Sequence, residues 1–240
     1  VAIDQLTHQA GMLRYLTGGQ VSVPLVIRLP CGAGQGAGSQ HSQALYSWFA
    51  HVPGIKVALP SSSYEAKGLM KAAIRDPNPV LFFEHKALYR TRWPVPEAYH
   101  DADHTIEFGR AKVHRTGKDI TVVATLTMLH QALAAAQTLA PEGISLEVID
   151  PRTLVPFDRE TIVESVRKTG RLLVVDEAYQ AFGIHSEVLA TVAEQAFAAL
   201  KAPPRRLGNP GVPVPFAPGL EDEVLPNCDR IVAAARQLVA

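Results

Sequence analysis

The sequence predicts an α/β protein made of two successive units, each a mainly parallel sheet covered by helices. Three observations carry this. Nearly continuous apolar runs, such as 21–29, 55–59 and 79–84, alternate with stretches of helical periodicity, which is the pattern of parallel strands buried on both faces. The rhythm breaks over 87–105 and then restarts. Four glycines fall within seven residues, 32–38, between the first strand and the helix expected after it.

In the first unit, residues 2–16 place Ile3, Leu6, Ala10, Leu13 and Leu16 on one helical face, stopped by Gly18-Gly19. Residues 21–29 read as a strand, and 42–51 as a helix with Leu45, Trp48, Phe49 and Val52 on its apolar stripe. A second strand, 55–59, ends at Pro60. Ser62-Ser63-Tyr64-Glu65 has capping-box form and opens a helix to about Arg75. The third strand is 79–84. Residues 87–105, with Pro94, Pro96 and scattered charges, have no period and read as a connection between domains.

In the second unit, an edge strand is expected over 106–114 and a buried strand over 119–124. Thr127 is a candidate cap for a helix carrying Leu129, Ala132, Leu133, Ala136 and Leu139. A strand at 144–149 precedes a helix capped by Asp158. Strand 172–175, a long helix at 184–200, a short strand at 205–207 and a proline-rich irregular stretch at 212–218 follow. Ile231, Ala235 and Leu238 mark the last helix. The division predicted is 1–95, a connection at 96–105, and 106–240.

The bulk properties exclude several classes. Lys+Arg and Asp+Glu balance at 23 each, so no basic field points to nucleic acid or to anionic lipid. The apolar runs are too short to span a bilayer. Cys31 and Cys228, far apart in sequence, read as free thiols in a reducing compartment. The nine histidines show no metal-ligand spacing. The chain opens on Val1-Ala2-Ile3-Asp4-Gln5-Leu6, without an initiator Met, and reads as the inside of a helix. It is expected to be the C-terminal part of something longer.

The glycine stretch admits more than one reading. Gly32-Ala33-Gly34-Gln35-Gly36-Ala37 fits a dinucleotide fingerprint, but the following strand ends Val57-Ala58-Leu59-Pro60 without the carboxylate that would hold a ribose. The bland alternative is a connection that packs strand against helix. His41 follows these glycines, where a helix is expected to begin. A helix N-terminus disfavours an imidazolium, and a neutral imidazole can accept a proton or donate a hydrogen bond. It is also a place where a surface histidine does nothing. Glu84, Asp150 and Asp176 close strands, where α/β proteins bind ligands and where caps and ion pairs also sit.

Many ordered segments resemble the beta subunit of thiamine-diphosphate-dependent 2-oxo acid dehydrogenases of the pyruvate or acetoin type. They include Val23-Pro24-Leu25-Val26-Ile27-Arg28, Gln40-His41-Ser42-Gln43, Pro53-Gly54-Ile55-Lys56-Val57, Ala73-Ile74-Arg75-Asp76, Glu84-His85-Lys86, Asp150-Pro151-Arg152-Thr153-Leu154 and Val175-Asp176-Glu177. The resemblance covers essentially the whole chain. It implies a pyrimidine-binding domain, truncated at its N-terminus, followed by a transketolase-type C-terminal α/β domain. It implies an alpha2beta2 heterotetramer whose alpha subunit supplies the Mg2+ and diphosphate site, and a lipoyl acyltransferase core as acceptor of the acyl group. The substrate implied is a small 2-oxo acid or acetoin, and the location a bacterial cytoplasm or a mitochondrial matrix.

His41 matches the family's active-site histidine, with Gln40 beside it on the thiamine side. Leu25, Ala73, Ile74, Asp76 and Asn78 match a potassium site found in some members; the alternative there is a capped turn with no ion. The family's activating glutamate lies upstream of these motifs, so the chain alone is expected to be inactive. A non-catalytic assembly module, or a transketolase-like half using the same cofactor, are the alternatives. Ala124-Thr125-Leu126-Thr127-Met128 departs from the family's usual Tyr-Gly pair.

Overall fold

The computed structural model describes residues 2–240, so Val1 lies outside the described residues. Two sheets organise the chain. The first has the order β1-β3-β2-β7, from β1 (Val26–Cys31), β2 (Lys56–Ala58), β3 (Val80–His85) and β7 (Thr153–Val155). Its first three strands are parallel, with Val26 beside Val80 and Lys56 beside Val80 in register. The second has the order β4-β6-β5-β8-β9, from β4 (Lys112–Arg115), β5 (Ile120–Ala124), β6 (Leu146–Asp150), β8 (Leu172–Tyr179) and β9 (Arg205–Asn209). Only β4 runs antiparallel to its neighbour there.

The strands form where nearly every residue is apolar. In β5 and β6 all five residues are buried, as expected for strands covered on both faces. Helices α4 (Tyr46–Ala50), α7 (Arg159–Thr169) and α8 (Ile184–Gln195) fill the space between the two sheets. Their Phe49, Ile162, Val166, Val188 and Val192 share one cluster with Leu81 and Phe83 of the first sheet and Val123, Ile149 and Val174 of the second. Outside the first sheet lies α5 (Ser63–Ile74), with Leu69 and Ala73 against Val80 and Phe82. Outside the second lie α6 (Leu126–Leu139) and α10 (Cys228–Val239). Each large side chain buried in these clusters contributes roughly 1.5–3 kcal/mol.

The N-terminal stretch is α1 (Ala2–Asp4), a π-helical segment 5–10 and α2 (Gly11–Leu16), of which only Gly11 is buried. The Cβ position of Gly11 already meets Ile55 and the Pro53 carbonyl at 3.3 Å, so this helix packs by backbone approach. The connection at 87–105 holds two short 3₁₀ turns, the first following β3 and the second against α5, where His104 stacks on Tyr64 at 4.4 Å and Lys67 donates to the Asp101 carbonyl at 3.0 Å.

A buried polar knot joins the two halves. Glu65 of α5 accepts from Arg152 at 3.3 Å, with Lys112 at 3.6 Å. His114 Nε2 stands 3.9 Å from both Glu65 and Asp150 and bonds to neither. Ser62 caps α5 through the Glu65 N–H at 3.3 Å, but the Glu65 side chain turns inward to the knot rather than back to the cap. Burial pushes the Asp150 carboxyl up to about 7, against the pull of the Arg152 N–H and Ser61. Burial, and then Lys112, push His114 down to about 4.

Several expectations needed correction. The first strand is shorter, because Val23 and Leu25 spend their N–H groups on the Pro77 and Val23 carbonyls rather than on a ladder. The helix expected over 42–51 shrinks to α4, residues 46–50, and a separate short helix, α3 (Gly38–His41), forms before it. The cap of α6 falls at Thr125, not Thr127, and Thr125 spends its hydroxyl on Asp176 instead of the helix. Residues 212–217 are irregular as expected, and a helix that was not expected, α9 (Pro218–Val224), follows them.

Candidate functional site

The glycine-rich loop leaves the carboxyl end of β1 and is held from three sides. Gly32, Gly34, Gly36 and Gly38 all have positive φ, between 61° and 91°. Gly32 must be glycine for a second reason. A Cβ there would sit 2.2 Å from His85 Nε2. That imidazole cannot retreat. Its Nδ1 accepts from the Ala87 N–H at 3.1 Å, so Nε2 carries the proton and donates to Glu177 at 2.7 Å, both side chains being buried. Lys86 donates to the His41 carbonyl. Gly34 and Gly36 donate to the two oxygens of Glu221 at 2.8 and 3.0 Å.

The loop delivers Gln40 and His41 to the surface, where both are exposed and neither side chain bonds another described residue. An imidazole presented on a braced loop, with both nitrogens free, is equipped to meet a ligand. His41 is the last residue of α3 rather than the first of a helix. It therefore does not stand at a helix N-terminus, contrary to expectation.

Beneath the loop the chemistry is structural. Tyr46 donates to Asp176 at 2.6 Å, and Thr125 and the Ala178 N–H donate to the same carboxylate. Burial, reinforced by Glu177 and Asp176, pushes the Cys31 thiol well up, so it is no nucleophile. Glu84 forms a forked pair with Arg28 at 2.8 and 3.0 Å. All three strand-end carboxylates thus have partners within the fold.

Of the five residues of the expected potassium site, Ala73, Ile74, Asp76 and Asn78 lie on the turn that ends α5, and Leu25 precedes β1. The Leu25 carbonyl accepts from Val80 at 2.8 Å, and the Ala73 carbonyl from Asp76 at 3.2 Å, at the end of α5 beside Ile74. Partial burial would raise the Asp76 carboxyl, but Lys56 and two Asn78 donors outweigh it and hold it below the usual range. Arg14 occupies the Asn78 side-chain oxygen at 3.1 Å. The side-chain oxygens of this turn are therefore already committed.

Glu221 and the His85–Glu177 pair leave no periodic signal in the sequence, since each partner lies 92 or more residues away.

Two α/β units joined through a shared core, with a glycine-rich loop clasped between them, define a protein of transketolase type. Residues 6–92 match the transketolase pyrimidine-binding domain and residues 109–231 the transketolase C-terminal domain. The beta subunit of acetoin:2,6-dichlorophenolindophenol oxidoreductase from Cupriavidus necator is 49% identical over 237 residues, covering 99% of this chain and 69% of its own length. Pyruvate dehydrogenase E1 component subunit beta-2 from Oryza sativa, mitochondrial, is 45% identical over 98% of this chain and 63% of its own. The 2-oxoisovalerate dehydrogenase subunit beta of Bacillus subtilis is 42% identical over 99% of this chain and 72% of its own. A solved split-gene transketolase, an inactive beta4 tetramer, superposes with a TM-score of 0.71 at 26% identity, over 99% of this chain and 73% of that one. The chain belongs to the family of thiamine-diphosphate-dependent dehydrogenase beta subunits, and it spans about two thirds of the length of these curated relatives.

Proposed function

We propose that this chain is the histidine-bearing beta component of a 2-oxo acid or acetoin dehydrogenase that passes an acyl group to a lipoyl arm. The observation that carries the reading is His41, exposed and unpaired on a loop braced by both domains. Thiamine diphosphate, when bound, supplies the nucleophilic carbon and the electron sink for the substrate carbonyl. His41, with Gln40 beside it, faces that centre. Its imidazole donates a hydrogen bond to the substrate's former carbonyl oxygen, or takes its proton as the acyl group leaves. His85, Lys86 and Glu177 hold the loop so that this imidazole meets the oxygen in one geometry.

The chain works with an alpha subunit in an alpha2beta2 assembly, the partner contributing the Mg2+ and diphosphate side, and it is inactive alone. The exposed Trp48 and Phe182, at 61% and 95%, flank a groove floored by Leu154, Pro156 and Phe157, and support burial against a partner. The acyl acceptor is a lipoyl acyltransferase core. The setting is a bacterial cytoplasm or a mitochondrial matrix, in keeping with two unpaired cysteines. Potassium, if held by Leu25, Ala73, Ile74, Asp76 and Asn78, is held through main-chain carbonyls, because the side-chain oxygens are taken. Potassium but not sodium should then raise the melting temperature, and equal melting in both would remove the site.

Co-expression of the full-length chain with candidate alpha subunits, followed by a screen of 2-oxo acids and acetoin, tests the assignment. Activity confined to the pair supports it. A heterotetramer that oxidises none of these substrates overturns it.

A further inference from the structure

We propose that Glu221 is a positioning residue: from the C-terminal domain it clamps the glycine-rich loop and so fixes where His41 stands. This rests on the reading of His41 given above.

The geometry is specific. Glu221 is 3% exposed, and its two oxygens are divided between two N–H groups of one loop, Gly34 at 2.8 Å and Gly36 at 3.0 Å. Alternating residues with positive φ turn successive N–H groups to one side, which makes a concave anion seat. Such seats normally receive a ligand's phosphate or carboxylate; here the protein's own carboxylate fills it. The seat is therefore not available to a diphosphate, in keeping with a diphosphate held elsewhere.

Independent contacts show the same embrace. The Cβ position of Gly38 lies 3.4 Å from the Phe216 ring, and that of Gly36 lies 3.5 Å from the Phe216 carbonyl. Ala33 is buried with Val214 and Leu225. The strap 214–225 thus covers one side of the loop, while Lys86 holds its far end at the His41 carbonyl. Between these anchors the loop has little of its own: a Cβ at Gly34 would meet nothing within 4 Å. Four glycines without side-chain packing have many alternative conformations. A charge-assisted pair of hydrogen bonds, one oxygen to each N–H, selects one of them.

Glu221→Gln tests this with little change of shape, because the amide presents N–H groups to one of the two loop donors. Glu221→Ala removes both acceptors, and serves if the Gln variant retains both contacts through water. Hydrogen exchange is read first. Amides of 33–41 should exchange faster by about tenfold or more, the size of one charge-assisted hydrogen bond, while those of β5 and β8 hold. Unchanged exchange of 33–41 in both variants overturns the clamp.

The assembled alpha–beta enzyme is read second. Glu221→Gln should lower kcat by about tenfold with little change in KM for the 2-oxo acid. In a His41→Ala background the same substitution should add almost nothing, since a residue acting through His41 has no further effect once the imidazole is gone. Losses that multiply in the double variant overturn the positioning role. A His41→Ala enzyme with full activity overturns the functional reading instead, and the exchange data still decide the clamp.

Discussion

Asp150→Asn should uncover a pH dependence of stability that the native protein hides. Asp150 is fully buried, accepts from the Arg152 N–H at 2.8 Å, and leaves its other oxygen unbonded 3.9 Å from His114. Burial raises its carboxyl from 3.8 to about 7, so the stability it contributes is complete below pH 4 and is lost as pH rises through 7. His114 has the opposite sign. Lowered from 6.5 to about 4, it favours the folded state above pH 6.5, and that contribution is lost as pH falls toward 4.

Between pH 4 and 6.5 the folded pair carries one proton, on Asp150. The unfolded pair also carries one, on His114. The slopes cancel. Asparagine keeps the acceptor for Arg152 and removes the titrating group, so only the histidine slope remains. The variant should gain stability relative to the parent as pH rises from 4 to 7. Three pH units at about 1.4 kcal/mol each set a ceiling of about 4 kcal/mol, which water penetration will reduce to about 2–3. Glu65, Arg152, Lys112 and His130 face the same knot in both proteins and drop out of the difference. Urea unfolding at half-unit steps measures it. A difference that stays constant within about 0.5 kcal/mol across this range would show that the Asp150 carboxyl is not raised by its burial.

Gly32→Ala should cost more than about 3 kcal/mol, adding left-handed strain to a collision with a histidine pinned at both ring nitrogens; a loss below about 1 kcal/mol in a denaturant melt would show that the loop can yield. Thiol reagents should label the half-exposed Cys228 while Cys31 stays unreacted until unfolding, because Cys31 is buried and held protonated. Mass-spectrometric mapping decides this, and fast native labelling of Cys31 would contradict its burial.

Much of the fold was legible because burial writes itself into composition. Val80-Leu81-Phe82-Phe83 is apolar on both faces, and Ile120-Thr121-Val122-Val123 is so except for Thr121, as strands covered on both sides require. Local capping was legible for the same kind of reason: Asp158 accepts from the Thr161 N–H, three residues on. What stayed hidden depends on distant partners. Residues 153–155 form a strand because β2, about a hundred residues earlier, offers an open edge, and three residues carry no period of their own. Glu65 looked like half of a capping box, but Arg152 and Lys112 supply stronger partners than a backbone N–H. For the site, His41 stood out by its residue type after the glycines. The brace of Glu221, Lys86 and His85 did not, since nothing local marks an acid 185 residues away as the loop's anchor.

If His41, on this braced loop, faces the reacting centre, its removal must slow acyl transfer. The most direct test is the rate of lipoyl acylation by the full-length chain assembled with its alpha partner, comparing His41→Ala with the parent after size-exclusion chromatography has shown the same assembly. A fall of about a hundredfold or more is expected, within the range for loss of a positioned proton-transfer group. An intact assembly that acylates lipoyl groups at the parental rate would contradict it.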